Sequence, residues 1–332
     1  MKQKEINVAF IGAGNIAYQH MLALKQIPDA NIKGLYDIDG EVLQKRSEEF
    51  GGEVHSSIDN LLDNVKPDVV FICLPPYAHG EAEFACIERR IPFLVEKPQS
   101  NDMDLARTIS DKVQEAGIIT CAAYMNRYRK GVNEAKRLLQ TYPVSSLSGG
   151  WLFETPLNHP WITRKKLSGG QLLEQTTHLF DLIRYLCGEI TEVQGYGCKG
   201  IVPQSESYDI EDASIVSLKL ESGAVASIQS SWSAGFDRFI YLNAFGPDIQ
   251  IQFENWELDV QMKARHSPDV IRIPGESNIF EIEISNFLSA VKEGNFNGIK
   301  SDYADGVKSL RISFAALKSI ETGDSVLLDD LG

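Results

Sequence analysis

The first third of the chain alternates short apolar runs with longer segments of mixed polarity. Apolar runs of strand length occupy residues 7–11, 32–36, 68–73, 91–95 and 118–122. Between two of them, Leu105, Ile109 and Val113 recur at helical spacing, and Gly117 supplies a helix C-cap. Regular alternation with short connections predicts an α/β domain with a doubly wound parallel sheet, ending near residue 123.

The pattern changes after residue 124 to strands with little helix between them. Residues 216–220 and 224–228 meet across a Ser-Gly turn, and residues 239–245 meet 249–253 across Gly-Pro-Asp. Such pairs predict hairpins, and hence a large, mainly antiparallel open sheet with one face on helices. We therefore predict two domains, residues 1–123 with a Rossmann sheet and residues 124–332 with an α+β fold.

Composition and charge exclude several classes of protein. The chain has 332 residues, of which 43% are hydrophobic, and its net charge of −14 argues against nucleic-acid and anionic membrane partners. No apolar run approaches the roughly 20 residues that span a bilayer. The first five residues lead into a strand without a signal-peptide core. The five cysteines lack a C-x-x-C spacing, so we expect a cytoplasmic protein without disulfides or a bound metal.

A glycine motif separates the first strand from the first helix. The spacing G-x-G-x-x-A begins at Gly12, which allows a tight turn, and continues with Gly14, which lets a pyrophosphate approach the backbone. Ala17 permits the helix to pack closely on the sheet. The motif predicts that dinucleotide phosphates bind at the helix N-terminus, beside Asn15 and Ile16.

An acidic residue follows the second predicted strand, about 20 residues beyond the glycines. At this place a carboxylate accepts a hydrogen bond from the ribose 2′-hydroxyl of NAD, so we assign that role to Asp37. Ile38 follows it, where an Arg or Ser could have held a 2′-phosphate, so NAD is favoured over NADP. The alternative is that Asp37 caps the helix that runs through Phe50.

Two further strands end in residues suited to ligand binding. Pro75 and Pro76 must turn the chain after the third strand, and Pro98 ends the fourth immediately after Glu96 and Lys97. Ligands bind at the carboxyl ends of strands in an open parallel sheet, which places Lys97 at the mouth of a crevice. The alternative is a solvated Glu-Lys pair on the surface.

The second domain contains a helix with an unusual polar face. A glycine pair at residues 169–170 opens it, and Glu174, His178, Asp181 and Tyr185 share one face of a continuous helix. Carboxylates one turn before and after an imidazole would orient it as an acid or base. The alternative is an amphipathic helix with a solvated polar face.

These motifs, at residues 12–17, 74–79, 96–98 and 169–181, resemble those of the Gfo/Idh/MocA family of NAD(P)-dependent oxidoreductases over nearly the whole chain. In that family the lysine lies beside the nicotinamide and substrate, and the histidine transfers a proton. The resemblance assigns these roles to Lys97 and His178, and places Asn126 and Arg127 near cofactor and substrate. Glu174 stands where the family commonly has Asp, a departure that bears on the substrate more than on the chemistry.

The resemblance implies an NAD-dependent dehydrogenase that oxidises a secondary alcohol of a sugar, cyclitol or related polyol. His178 and Lys97 would act on the same substrate oxygen, and the sequence leaves open which is the formal base. A dinucleotide-binding regulator without turnover and a hydrolase with tightly bound NAD remain alternatives. The predicted catalytic residues are Lys97, His178, Glu174 and Asp181. The predicted cofactor contacts are Gly12, Gly14, Asn15, Ile16, Asp37, Leu74, Pro75, His79, Glu96, Lys97 and Asn126.

The open face of the second sheet predicts self-association. A large antiparallel sheet has a second face to cover, and Trp232, Tyr241 and Phe245 are available for it. We expect a homodimer or homotetramer. The alternative is a face solvated by Ser, Gln and Lys.

Overall fold

The computed structural model describes residues 5–154, 161–235, 238–265 and 267–331. Two compact units result: Met1–Met125 with Asn278–Val307, and Asn126–Ser277 with Lys308–Gly332. Residues 278–307 thus belong to the first unit although they follow β14 of the second sheet in sequence, and the domain division at residue 123 stays a prediction. The expectation about a signal peptide depends on residues 1–4, which lie outside the described residues.

The first unit contains a parallel sheet with the order β3-β2-β1-β4-β5-β6. This confirms the predicted doubly wound sheet, to which the structure adds the two-residue edge strand β3. The strands are β1 (Ile6–Ile11), β2 (Ala30–Tyr36), β3 (Glu53–Val54), β4 (Val69–Ile72), β5 (Phe93–Val95) and β6 (Thr120–Ala122). The helices are α1 (Asn15–Leu24), α2 (Gly40–Phe50), α3 (Ile58–Val65), α4 (Glu81–Glu88) and α5 (Met103–Ala116).

Local sequence explains where these helices begin and end. Side chains of Asp39, Ser57 and Asp102 accept hydrogen bonds from the first-turn N–H groups of α2, α3 and α5. Gly117 ends α5 in the left-handed conformation, as predicted. The cap of α2 is Asp39, so the alternative reading of Asp37 as that cap is wrong.

The second unit contains a sheet with the order β14-β13-β12-β11-β7-β10-β9-β8-β15. Its β7–β10 pair is parallel and the other described pairs are antiparallel, which confirms the mainly antiparallel prediction. The strands are β7 (Ser146–Leu152), β8 (Ile190–Cys198), β9 (Ala213–Leu220), β10 (Val225–Ser231), β11 (Phe239–Phe245), β12 (Ile249–Glu254), β13 (Asp259–Ala264), β14 (Val270–Ile273) and β15 (Val326–Leu327). The other α-helices in the described ranges are α6 (Lys130–Leu139), α7 (Lys165–Ser168), α8 (Gln171–Glu174), α9 (Thr177–Cys187), α10 (Ile279–Glu293) and α11 (Tyr303–Thr322).

The strands of the second sheet alternate between a buried and an open face. In β9, Val216, Leu218 and Leu220 are buried, whereas Ser217 and Lys219 are exposed. This alternation explains why the strands could be predicted from the sequence.

The aromatic residues expected on the open face do not all lie there. Phe245 is 37% exposed and Tyr241 is partly buried. Trp232, however, is fully buried, and its indole Nε1 donates to Gln175 Oε1 at 2.8 Å. The prediction that Trp232 covers a partner subunit is therefore wrong, because the side chain packs inside its own unit.

The five cysteines are free thiols. Among the described residues, no helix has both the length and the hydrophobicity needed to cross a bilayer. Over the same ranges, no group of three or more His, Cys, Asp or Glu side chains is arranged to hold a metal ion.

Candidate active site

The glycine loop joins β1 to α1, and its two glycines have different reasons to lack a side chain. At Gly12 φ is +93°, and an added Cβ would lie 2.3 Å from the carbonyl oxygen of Cys73. At Gly14 φ is −67°, and an added Cβ would meet no atom within 4 Å. Gly12 is therefore required by the fold, whereas the space over Gly14 remains available to a ligand.

The first turn of α1 is suited to an anion. Unlike α2, α3 and α5, this helix has a glycine, Gly14, as its N-cap and therefore no capping side chain. Its first turn, which includes Asn15 and Ile16, has no acidic residue. Its first N–H groups therefore need a partner, and the helix dipole favours a negative one. Both features fit the pyrophosphate of a dinucleotide.

The carboxylate of Asp37 connects the ends of β1 and β2. Its Oδ2 accepts from the main-chain N–H of Ala13 at 2.6 Å, and its Oδ1 accepts from Asp39 N–H at 2.8 Å. Arg46 Nε donates to the carbonyl of the same Ala13 at 3.2 Å and its guanidinium lies over the Tyr18 ring. The two N–H groups fix the carboxylate, whose remaining lone pairs can accept from a ribose hydroxyl.

The segment after β4 is held by an internal histidine. His79 Nδ1 lies 2.5 Å from Glu83 Oε1, and its Nε2 lies 3.1 Å from the carbonyl oxygen of Leu74. Glu83 Oε2 also accepts from Gly80 N–H at 2.7 Å. Because both ring nitrogens bond within the protein, His79 fixes the position of Leu74 and Pro75, which are only partly buried.

The Glu-Lys-Pro segment begins where β5 ends. Glu96 is buried, with Oε1 2.7 Å from His20 Nε2 and Oε2 accepting from the Lys97 N–H at 3.1 Å. Its own N–H donates to the carbonyl of Ile72 in β4. The alternative interpretation of Glu96 as part of a solvated surface pair is therefore wrong. Through His20, its carboxylate connects α1 to the end of β5. Lys97 is partly exposed, and its peptide bond to Pro98 is cis.

In the second unit, the predicted continuous helix through Glu174 and His178 is interrupted. Helix α8 ends at Glu174 and α9 begins at Thr177. The two turn residues between them are held by β10 and the residue after it. The hydroxyls of Thr176 and Ser230 lie 2.7 Å apart, and the Trp232 indole donates to Gln175. The prediction that Glu174 shares one continuous helical face with His178 is thus wrong.

Helix α9 is also not amphipathic with a solvated face. His178 is 5% exposed and Asp181 is 1% exposed, although both are polar. The His178 imidazole lies parallel to the Trp151 indole, with ring centroids 5.4 Å apart and an interplanar angle of 17°. The alternative of a solvated polar face is therefore wrong. The imidazole is instead buried and packed against an aromatic ring.

The Asp181 carboxylate bonds Arg127. Arg127 Nε and Nη2 donate to its two oxygens at 2.9 and 2.6 Å, and the Ser309 hydroxyl donates to Oδ1 at 2.7 Å. Nearby, Asn126 Oδ1 accepts from Arg129 Nε at 2.8 Å. Burial lowers the pKa of Arg129 to about 10. A role for Asp181 in orienting the imidazole stays a prediction, as does that of Glu174.

Each unit gathers its own share of the predicted residues. The first unit brings the glycine loop, Asp37, Leu74, Pro75, Glu96 and Lys97 to the carboxyl ends of β1, β2, β4 and β5. The second unit holds Asn126, Glu174, His178 and Asp181. Sequence reasoning missed His20, Glu83, Trp151 and Ser309. Only Glu83 had a local signal, since it lies one helical turn after His79.

Known proteins resemble the chain along its whole length. A family model described as an oxidoreductase family with an NAD-binding Rossmann fold matches residues 6–124, and a GFO/IDH/MocA C-terminal domain model matches residues 144–254. Myo-inositol 2-dehydrogenase of Thermotoga maritima is 25% identical, covering 98% of this chain and 99% of that protein. The scyllo-inositol 2-dehydrogenase (NAD(+)) of Bacillus subtilis is also 25% identical, with 98% and 97% covered.

A solved structure shares the fold. Levoglucosan dehydrogenase in complex with NADH superposes with a TM-score of 0.88 at 21% identity, covering 98% of this chain and 99% of that one. Together the two family models account for most of the sequence. The chain therefore belongs to the GFO/IDH/MocA family and is an oxidoreductase with an NAD-binding Rossmann domain, as its motifs predicted.

Proposed function

We propose that the protein is an NAD-dependent dehydrogenase that oxidises a secondary alcohol of a cyclitol, sugar or related polyol. Relatives named as inositol, levoglucosan and glucose-6-phosphate dehydrogenases support this substrate class. The observation that carries the proposal is that the residues around the Lys97 amine and the His178 imidazole hold both groups in defined positions. Lys97 follows a strand end tied down by buried Glu96, and His178 is almost fully buried against Trp151.

Residues of the first unit would hold the cofactor, whose nicotinamide supplies the hydride acceptor when bound. The uncapped N-terminus of α1 and the open space at Gly14 fit a pyrophosphate. Asp37 would accept from the ribose 2′-hydroxyl and repel a 2′-phosphate, so we propose NAD rather than NADP. Leu74 and Pro75 would add contacts, while His79 and Glu96 act by positioning their neighbours. We also assign a cofactor contact to Asn126, which belongs to the second unit.

The chain's own residues would manage the proton and the charge. His178 accepts the hydroxyl proton of the substrate alcohol, a contribution worth roughly 10²–10⁴-fold in rate. Lys97, as a cation, stabilises the negative charge that develops on the oxygen.

Two carboxylates support this chemistry from further away. We assign Asp181 to the positioning of Arg127, because its oxygens accept both guanidinium hydrogen bonds. Glu174 ends α8, four residues before the imidazole, and we propose that it tunes His178. Neither carboxylate needs to touch the substrate.

We further propose a homodimer or homotetramer that buries the open face of the second sheet. Val225 and Phe245 flank Ser146 on adjacent strands of that face, and both are exposed hydrophobic side chains. Such residues support self-association more than solvation. The scattered free cysteines support a cytoplasmic location.

The decisive experiment measures free NADH after the protein is mixed with NAD and a panel of cyclitols, sugars and polyols. Accumulation of NADH together with the ketone product supports the dehydrogenase. Substrate cleavage without NADH would instead identify a hydrolase that recycles its bound cofactor. NAD binding with neither outcome across the panel would identify a regulator and overturn the proposal.

A further inference from the structure

Two tryptophans stand behind the buried imidazole. The indole of Trp151 lies parallel to the His178 ring at 5.4 Å, and Trp256 meets Trp151 edge-on at 5.9 Å with an angle of 83°. Trp151 is itself 4% exposed, so it offers no free face to a sugar. Its indole face is turned to His178, and this contact is the feature that calls for an explanation.

Main-chain contacts hold this stack in place. Trp151 belongs to the central strand β7, where it pairs with Ser230 of β10 and Ile240 of β11. The side-chain amide of Gln171 donates to the Trp151 carbonyl at 2.9 Å and to the Ser231 carbonyl at 3.1 Å. Since Gln171 begins α8, the helix pair that contains His178 is fastened to the same strand that presents the indole.

We infer that Trp151 is a positioning residue for His178, and the inference rests on the proposed function. Its indole face fixes the plane of the imidazole and stabilises the imidazolium that forms when the ring accepts the hydroxyl proton. In that step the substrate O–H bond breaks, an N–H bond forms on the ring, and hydride leaves the carbon for the nicotinamide. An aromatic face within about 6 Å attracts a cation, and more strongly when water is excluded.

Charged groups on α8 and α9, and the arginine bonded to one of them, must stay unchanged in the test. They are Glu174 at the end of α8, Asp181 and Arg184 on α9, and Arg127 bonded to Asp181. Replacement of Trp151 alters none of these side chains. A comparison of two Trp151 variants therefore isolates the aromatic face from the surrounding charges.

The test compares Trp151→Phe with Trp151→Leu. Both variants remove the second ring and leave similar space, but only Phe keeps an aromatic face toward His178. Leu147→Ala is the packing control, because Leu147 is a buried residue on the same face of β7. Should Trp151→Leu fail to fold, Trp151→Met provides the aliphatic variant.

Two readouts are needed. The first is the NMR titration of the His178 ring, assigned by its loss in His178→Ala, which requires no turnover. The second is the pH dependence of single-turnover alcohol oxidation. We expect the Leu variant to titrate about half a pH unit to one unit below the Phe variant, because it loses stabilisation of the protonated ring. The acid limb of its rate should move to lower pH by the same amount.

Equal titration of the Phe and Leu variants would overturn the inference, as would an equal shift in Leu147→Ala. A shifted NMR titration without a shifted rate limb would also overturn it, since the stack would then act on a ring that does not transfer the proton. That last outcome is separable from failure of the proposed dehydrogenase, which is judged on NADH release by the unaltered protein.

Discussion

Arg127 and Asp181, 54 residues apart in sequence, form a buried ion pair with two parallel hydrogen bonds. Their side chains are only 4% and 1% exposed. Such a pair gains little over an apolar equivalent, but removal of one partner leaves a charge stranded in the interior. The stability of the second unit therefore depends on an ion pair whose carboxylate, Asp181, lies one helical turn after His178 in α9.

We expect Asp181→Asn to lower the free energy of unfolding by about 3–5 kcal/mol, because the buried Arg127 guanidinium loses the negative charge that accepts its two hydrogen bonds. Urea unfolding followed by fluorescence measures the change. Glu134→Gln is the matched control, since it breaks the Glu134–Arg137 pair on the exposed surface and should change stability very little. If both substitutions changed the free energy of unfolding equally, burial of the Arg127–Asp181 pair would not increase the cost of breaking it.

The two glycines of the nucleotide loop should respond in opposite ways to alanine. Gly14→Ala should change unfolding free energy by less than about 1 kcal/mol and yet abolish NAD binding, because the new methyl occupies space meant for the pyrophosphate. Gly12→Ala should destabilise the protein by about 1–3 kcal/mol, because its methyl meets the Cys73 carbonyl. Thermal unfolding and NAD titration distinguish them. Normal NAD affinity in Gly14→Ala would remove Gly14 from the cofactor site.

Asp37→Ser should narrow the preference for NAD over NADP. Loss of a charged acceptor for the ribose hydroxyl should weaken NAD binding about 10- to 100-fold, while NADP escapes a repulsion. Fluorescence titration with both cofactors measures the ratio. Asp39→Ser is the control, because serine still caps α2 and the ratio should stay constant. Tighter binding of NADP by the unaltered protein would refute the assignment of Asp37.

His178→Ala should slow single-turnover hydride transfer by about 10²–10⁴-fold, with NAD affinity almost unchanged. Lys97→Ala should slow it by a similar factor and cost some NAD affinity. If both residues act on one oxygen, the double variant should be little worse than the slower single variant. Glu174→Gln should have a milder effect than either. A rate within a few-fold of the unaltered protein for His178→Ala would remove it from the reaction.

Light scattering should give a dimer or tetramer mass at micromolar concentration. The double substitution Val225→Lys and Phe245→Lys places charges at two exposed apolar positions of the open sheet face. It should shift the protein toward monomers. Ile201→Lys is the control, because Ile201 is 74% exposed but lies outside the strands of that sheet. A monomer mass for the unaltered protein would end the proposal.

The sequence predicted those parts of the fold that depend on local pattern. Buried runs such as residues 7–11 and the alternation in β9 gave both sheets, and Gly117 gave a helix end. Features of the fold that depend on partners far away in sequence could not be predicted. The break after Glu174 has no Gly or Pro to mark it, since Gln175 and Thr176 are held by β10 and the residue after it.

The same reason explains the errors at single side chains. Trp232 looked available for an interface because nothing near it in sequence shows that Gln175 binds its indole, 57 residues away. The alternative of Asp37 as a helix cap fails for the same reason, because its carboxylate bonds Ala13 at the end of β1 while Asp39 caps α2. The stack of Trp151 on His178 likewise joins residues from separate elements.

The two-residue turn between α8 and α9 sets the rotational phase of one helix relative to the next. Within one continuous helix, the angle between Glu174 and His178 would be fixed by helical geometry. Here the angle also depends on Gln175 and Thr176, whose side chains bond Trp232 and Ser230, so it is set jointly by the turn and by the strand beside it. The orientation of the His178 imidazole relative to Glu174 is therefore a property of the second sheet as well as of the two helices.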